Sequence, residues 1–247
     1  MDKLKRSENL ERDGMPTYFR FMTLMAFHYF MAKDVKVAIV EVGVGGEYDS
    51  TNIVMNPLAV GITTIHLDHQ AQLGSTLREI AWHKAGILKE KARAFTVVQE
   101  RTVHDVISER ARAANVELTI VQDLPLLPTD SIISNGERQN ATLATHLASA
   151  VLGTLFEFEP SQRVIDLRCP NEYTSSLLLA GLERSRLPAR GETFFFEGVT
   201  YFFDGAHTVE SVDLAVRKFT QKFFQTVRNP SDDAPRRQVS RARCSKI

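Results

Sequence analysis

The chain has 247 residues, of which 43% are hydrophobic and 24% are charged, and its formal net charge at pH 7 is zero. This composition is typical of a globular protein with a packed core, and the lack of net basic charge disfavours nucleic acid as a partner. The two cysteines, Cys169 and Cys244, are too far apart in sequence to suggest a disulfide framework or a zinc site. The most apolar stretch, residues 18–32, contains Arg20 and is too short to span a membrane.

Strand and helix patterns alternate in the first half of the chain. Apolar periodicity predicts helices at 18–32, 75–89 and 103–116, and short β-branched runs predict strands at 35–43, 58–68, 94–99 and 116–122. The first strand is expected to be buried on both faces, and Ser75 is expected to cap the second helix. The alternation predicts an α/β fold in which helices flank a mostly parallel sheet.

The second half is predicted to contain a further helix pair, a hairpin and a last helix. A polar loop is expected at 123–138, followed by helices at 139–156 and 172–186, a hairpin at 191–208 that turns at Glu197-Gly198, and a helix at 209–225. The basic tail from about 228 is expected to be disordered. We place a domain boundary after residue 186, so the predicted domains are 1–186 and an incomplete one at 187–247.

Glycines follow the first predicted strand, in the sequence GVGG at 43–46. A dinucleotide-binding fingerprint would need a third glycine where Tyr48 stands, and the P-loop pattern G-x-x-x-x-G-K-[ST] is found nowhere in the sequence. Neither standard phosphate-binding loop is therefore predicted. A plain strand-ending turn and a functional loop both remain open from these glycines alone.

Charged side chains gather near the ends of two predicted strands. Glu41 lies within an apolar run, where an unpaired carboxylate is costly to bury. His66, Asp68 and His69 follow the next strand, and Lys84 lies on the helix after it. Because parallel strands place their carboxyl ends at one edge of a sheet, these residues predict a metal or phosphate site. The alternatives are that His66 is an ordinary surface residue and that Lys84 lies on a solvated helix face.

Seven segments together resemble the folylpolyglutamate synthases of the Mur ligase superfamily, most of all the eukaryotic enzymes. In chain order they read MPTYFRFMTLMAFHYF, VEVGVGGEYDSTN, GITTIHLDHQAQLGSTLREIAWHKAGI, FTVVQ, RQNATLA, LPARGE and YFFDGAHT, and they cover residues 15 to about 220. The resemblance implies a P-loop NTPase-like central domain and the start of a second α/β domain. It also implies ATP-dependent addition of L-glutamate to the γ-carboxylate of a tetrahydrofolate, through an acyl phosphate, with Mg²⁺ and ATP as cofactors.

The same resemblance implies roles for individual residues. Glu41 and His69 match Mg²⁺ ligands, and Lys84 matches a lysine that is carbamylated and becomes a further metal ligand, so His69 and Lys84 are the catalytic candidates. The expected ATP contacts are Gln139, Asn140, Arg190, Asp204 and His207. The loop that contains Asp49, Thr51 and Asn52 is expected to border the folate or the metal.

Two departures from the family pattern lower the activity expected of this chain. The family carries a glycine-lysine-serine loop before the helix that matches 18–32, and residues 1–14 contain none. Residues 187–247 are few for a complete second domain, so a chain truncated at both ends is expected.

The alternative function is a non-catalytic fragment or relative that keeps folate, metal or protein contacts. A nicotinamide-dependent dehydrogenase and a histidine hydrolase are disfavoured. The family precedent is a monomer in the cytoplasm or the mitochondrion.

Overall fold

The computed structural model describes residues 14–124, 135–155, 176, 179–182, 184–185 and 187–228. The chain divides into two compact units, residues 1–120 and residues 121–247. The domain boundary after residue 186 stays a prediction. None of the helices in the described part of the chain has the length and apolar character needed to cross a membrane.

The first unit is a three-stranded parallel sheet with its connecting helices. Its elements are α1 (Tyr18–Ala32), a 3₁₀ turn (Ser50–Ile53), β1 (Ala59–Ile62), α2 (Gln70–Leu73), α3 (Leu77–Lys84), a 3₁₀ turn (Ala85–Ile87), β2 (Arg93–Thr96), α4 (Arg101–Ala113) and β3 (Leu118–Ile120). The strand order is β1–β2–β3, and both pairings are parallel. The predicted α/β fold with helices flanking a parallel sheet is confirmed.

The core of this unit lies between the sheet and the helices α3 and α4. Ile80 of α3 and Ile107 of α4 are completely buried, and both belong to one apolar cluster with Val60 and Ile62 of β1. Of the apolar positions that the helical period predicts on one face, Val103, Val106, Ile107 and Ala111 of α4 are buried, and Ala114, directly after it, is partly buried. The 3.6-residue period of the sequence therefore identified the correct face of this helix.

The predicted strand at 35–43 is wrong. Residues 37–42 form no helix or strand, and Ile39 is 94% exposed. A β-branched run favours extended backbone, but it becomes a strand only when a neighbour pairs with its N–H and C=O groups. None of the described strands pairs with this segment. Glu41 is consequently exposed, and the predicted cost of burying its carboxylate does not arise.

Side chains at the end of β2 and just after it hold the loop that follows β1. The Gln99 amide accepts a hydrogen bond from the Ile65 N–H (3.1 Å) and donates one to the Thr63 carbonyl (2.8 Å). The buried Thr96 hydroxyl donates to the Ile62 carbonyl at 3.1 Å. These bonds satisfy backbone groups where the β1 ladder ends, and they fix the start of the segment that leads to residues 66–69.

The second unit contains α5 (Asn135–Leu155), β4 (Arg190–Phe196), β5 (Val199–Asp204) and α6 (Val209–Arg228). The predicted hairpin is confirmed: β4 and β5 are antiparallel, and the turn residues Glu197 and Gly198 have φ of 48° and 81°. Two left-handed residues in a two-residue turn match the twist of the strands they join. The hairpin packs on α6, where the Phe202 and Phe219 ring centroids are 5.7 Å apart.

Other predictions for this half are met only in part. α5 begins at Asn135, inside the segment predicted as a loop and four residues before the predicted helix start. Residues 125–134, most of the helix predicted at 172–186 and the tail after 228 lie outside the described residues.

We predict that the same substitution, isoleucine to alanine, changes the free energy of unfolding strongly at one position and hardly at another. Ile107→Ala should lower the free energy of unfolding by about 2–5 kcal/mol, because it leaves a cavity in the core. Ile39→Ala should change it by less than about 0.5 kcal/mol, because the side chain is exposed. Urea unfolding followed by circular dichroism measures both. A large loss for Ile39→Ala would show that residues 37–42 are a buried strand after all.

Candidate functional site

Lys84 is the last residue of α3, and a capping box sets where that helix begins. The cap is Thr76 rather than the predicted Ser75. The Thr76 hydroxyl accepts a hydrogen bond from the Glu79 N–H (3.3 Å), and the Glu79 carboxylate accepts one from the Thr76 N–H (3.0 Å). The bonds from Thr76 hold the pKa of the Glu79 carboxyl below its ordinary value of 4.5. The start of α3 is therefore well defined, and Lys84 follows two turns later.

The Lys84 ammonium lies in an environment that disfavours its charge. Burial lowers the pKa of Lys84 below its ordinary value of 10.5, and the Asp68 carboxylate opposes this effect. A lysine that loses its proton easily is a better nucleophile toward small electrophiles than a fully solvated one. The alternative interpretation of Lys84 as part of a solvated helix face is therefore disfavoured.

Asp68 connects Lys84 with His69. The Asp68 carboxylate accepts a hydrogen bond from the His69 N–H at 2.7 Å, and 3.7 Å separates its second oxygen from the His69 Nε2. His69 has a left-handed backbone (φ 52°) and directly precedes α2. Asp68 thus contacts one predicted site residue, His69, and acts electrostatically on another, Lys84.

The metal assignments stay predictions. Glu41 and His66 are exposed. Among the residues that the structure describes, no three His, Cys, Asp or Glu side chains form a group that could hold a metal ion. The predicted set also contains Lys84, whose side chain offers metal-binding oxygens only after carbamylation.

The glycine loop, residues 43–49, packs directly on the end of α3. A Cβ on Gly46 would lie 2.6 Å from the His83 carbonyl oxygen and 2.9 Å from that of Lys84. Gly45 has a φ of 76°, which favours glycine. The Glu47 N–H donates to the same His83 carbonyl at 2.8 Å. The glycines thus serve a close backbone contact with the lysine-bearing helix.

Polar side chains at the end of this loop and just after it hold residues 49–52 in place. Asp49 accepts hydrogen bonds from the Val44 and Thr51 N–H groups, both at 2.9 Å, and from the Thr51 hydroxyl at 2.6 Å. The Asn52 amide donates to the Gly86 carbonyl at 3.2 Å. Asp49 and Asn52 also line a cavity of about 340 Å³, together with Arg20, Thr23, Leu24 and Phe27 of α1 and with Glu47, Tyr48, Ser50 and Ile53.

The sequence analysis did not predict a cluster that joins the glycine loop to α3 and α4. The Glu47 carboxylate pairs with the Arg110 guanidinium, which stacks over the Trp82 ring at 4.5 Å from the centroid. Trp82 is 37% exposed, although its apolar ring would favour a core position. Glu47 and Arg110 are 63 residues apart in the chain, so no local pattern could have paired them.

In the second unit, three predicted ATP contacts lie at the open end of the hairpin. Arg190 of β4 lies opposite Asp204 of β5 in the strand register, and the Arg190 guanidinium lies against Gly205. Asp204 accepts a hydrogen bond from the Ala206 N–H at 3.0 Å. The His207 Nδ1–H donates to the Gly205 carbonyl at 3.0 Å. The structure therefore brings Arg190, Asp204 and His207 together.

The other two predicted ATP contacts lie on α5 of the same unit. Because α5 begins at Asn135, Gln139 and Asn140 occupy its second turn and not its start. Gln139 is half-buried and Asn140 is exposed. An ion pair of 3.2 Å between Lys218 and Glu137 joins α6 to the first turn of α5.

Comparison with known proteins gives a consistent family. No family model matches the chain. A probable folylpolyglutamate synthase of Schizosaccharomyces pombe is 39% identical over 203 residues, which are 80% of this chain and 38% of that protein. The mitochondrial folylpolyglutamate synthase of Homo sapiens is 37% identical over 222 residues, 84% of this chain and 38% of that protein. The matched part of the chain belongs to the folylpolyglutamate synthase family.

Solved folylpolyglutamate synthase (FPGS) structures share the fold. The apo form of L. casei FPGS has a TM-score of 0.73 and 25% identity, and the match covers 90% of this chain and 56% of that one. An FPGS-AMPPCP-folate complex has a TM-score of 0.72 at 25% identity, with the same coverage. The predicted resemblance is confirmed. The chain spans about two fifths of the length of the curated FPGS relatives, 38% in both cases above.

We predict that Gly46→Ala destabilises the first unit. The new Cβ would press on two helix carbonyl oxygens, and such overpacking typically costs about 1–3 kcal/mol. Gly136→Ala is the control, because nothing lies within 4 Å of the position its Cβ would take. Urea midpoints of the two variants give the comparison. Equal midpoints would contradict the close packing of the loop on α3.

The lowered pKa of Lys84 predicts a pH dependence of stability. Between this lowered pKa and 10.5 the unfolded chain binds more protons than the folded chain, so the Lys84 contribution to stability rises with pH across that interval. Below it, the full cost of burying the ammonium is present. The unfolding free energy of the wild type, minus that of Lys84→Met, should therefore increase as pH rises toward 10.5. A flat or falling difference would contradict the burial of the charge.

Proposed function

We propose that this chain contributes to the ATP-dependent addition of L-glutamate to the γ-carboxylate of a tetrahydrofolate. The carboxylate takes the γ-phosphoryl group of ATP, which gives an acyl phosphate and ADP. The glutamate amine then attacks the carbonyl carbon, phosphate leaves, and the amine loses a proton. Family membership supports this reaction class, and an FPGS-AMPPCP-folate complex among the structural relatives supports the two ligand classes.

The single observation that carries the proposal is that Lys84 is partly buried, and that this burial disfavours its charged form although the Asp68 carboxylate favours it. Burial disfavours its ammonium form, so the neutral amine is more accessible here than on a solvated helix. A neutral amine can add carbon dioxide and lose a proton, which gives a carbamate. That product carries a negative charge and two oxygens where a cation stood before. The Asp68 carboxylate, which acts electrostatically on Lys84, lies 3.7 Å from the His69 Nε2.

The oxygen donors of the proposed ligands are of the type that suits Mg²⁺, a hard divalent cation. Glu41, His69 and a carbamylated Lys84 would hold it. When bound, Mg²⁺ supplies positive charge that neutralises transferring phosphate groups. Asp68 is a further carboxylate, next to His69, and it accepts the 2.7 Å hydrogen bond from the His69 N–H.

The remaining assignments follow the two units. Asp49, Thr51 and Asn52 border the folate, and the cavity of about 340 Å³ beside Asp49 and Asn52 supports this placement. Arg190, Asp204 and His207 contact ATP, and their grouping at one end of the hairpin supports a shared ligand. Gln139 and Asn140 complete the nucleotide contacts. The compartment is the cytoplasm or the mitochondrion, since mammalian relatives are named as mitochondrial.

The test is the incorporation of labelled glutamate into tetrahydrofolate by the purified 247-residue chain with ATP and Mg²⁺. Glu41→Gln and Lys84→Met should each lower the rate at least about tenfold, because each removes a proposed metal ligand. The matched controls Glu109→Gln and Lys91→Met change exposed side chains and should stay within about twofold of the wild type.

Equal rates for all five proteins would overturn the metal assignment. A wild-type chain that binds Mg²⁺ and ATP but incorporates no glutamate would favour the non-catalytic alternative. Carbamylation has its own readout: ¹³C-labelled bicarbonate should give a carbamate signal in the NMR spectrum of the wild type that Lys84→Met lacks.

A further inference from the structure

One group of side chains joins the glycine loop to α3 and α4 through contacts that the function proposed above does not use. We name it the Glu47 clamp and define it as Glu47, Tyr48, Trp82 and Arg110. Glu47 and Arg110 form an ion pair in which the side chains are only 27% and 24% exposed. Arg110 stacks on Trp82, and the Tyr48 ring centroid is 6.3 Å from the Trp82 centroid. The clamp joins the loop to both α3 and α4.

The backbone of Glu47 is linked by hydrogen bonds to His83 and, through Asn52, to Gly86, which lie before and after Lys84 in the chain. Its N–H donates to the His83 carbonyl at 2.8 Å. Its carbonyl accepts from the Asn52 amide (3.1 Å), which also donates to the Gly86 carbonyl (3.2 Å). A Cβ on Gly86 would lie 2.5 Å from the Glu47 Cα, so the two backbones are in direct contact. A shift of Glu47 would therefore move the loop relative to the lysine-bearing helix end.

The same two helices carry a second ion pair that allows comparison. Arg78 of α3 and Glu109 of α4 are 3.3 Å apart, and their side chains are 59% and 54% exposed. Exposed pairs of this kind contribute little, because water and salt screen them. The Glu47–Arg110 pair is less solvated, and the guanidinium gains a second favourable contact from the tryptophan face. The clamp is thus the stronger of the two connections.

We propose that Glu47 is a positioning residue: its ion pair with Arg110 determines where the glycine loop, and with it Asp49, lies relative to Lys84. This inference rests on the proposed function for the roles of Asp49 and Lys84. Glu47 itself need not touch a substrate. Its contribution is to hold the loop in one arrangement, since small misplacements of reacting groups are costly in rate.

The structural part of the test is a double-mutant cycle on the complete chain with Glu47→Gln and Arg110→Gln. The coupling should be about tenfold in the unfolding equilibrium constant. The control cycle with Arg78→Gln and Glu109→Gln should give about twofold or less. Trp82 is the only tryptophan in the sequence, so its emission should shift to longer wavelength when Arg110 is removed. Amide hydrogen exchange of residues 43–49 should quicken at least about tenfold in Glu47→Gln.

The functional part measures glutamate incorporation at a temperature where every variant is folded. Glu47→Gln should lower kcat about tenfold and leave the KM for glutamate within about twofold, because positioning affects the reacting groups more than the affinity. Arg110→Lys keeps the charge but loses the planar stack, so it should retain more of the wild-type rate than Arg110→Gln does. A coupling no larger than the control, or unchanged loop exchange, overturns the inference. If the wild type incorporates no glutamate, the proposed function fails, and coupling and loop exchange alone decide the inference.

Discussion

Between Gly46 and the carbonyl oxygens of His83 and Lys84 there is no space for a side chain. This close backbone contact places the glycine loop on the end of α3, and the contacts that the loop makes with its neighbours depend on it. Glu47 follows Gly46 and reaches both the His83 carbonyl and Arg110. Asp49 then closes the loop by accepting hydrogen bonds from either side. A residue larger than glycine at position 46 would separate the loop from the helix and disturb each of these contacts.

The electrostatic character of the site centres on Lys84, whose backbone carbonyl lies against Gly46. Lys84 ends a helix of only eight residues whose start is held by the Thr76 capping box. The loop and the core around it partly remove Lys84 from water, which is what lowers the pKa of its ammonium. Asp68 limits that effect and connects the lysine with His69.

The second unit presents its polar groups in a different way. The β4–β5 hairpin turns at Glu197 and Gly198, and its open end carries Arg190 and Asp204. Local hydrogen bonds set the geometry there: Asp204 accepts from the Ala206 N–H, and His207 donates to the Gly205 carbonyl. These contacts are within a few residues of each other or across one strand pair. They could be formed by the hairpin and the start of α6 without help from distant segments.

The sequence by itself determined the elements whose signals are local. The buried face of α4, the hairpin turn and the α/β alternation all follow from periodicity and turn chemistry, and the family resemblance followed from spaced motifs that the comparisons confirm. Three features became apparent only in the folded arrangement: residues 35–43 lack a strand partner among the described strands, Lys84 is partly buried, and Glu47 pairs with Arg110. The physical reason is that strand pairing, burial and long-range ion pairs depend on groups far apart in the chain, which no local pattern specifies.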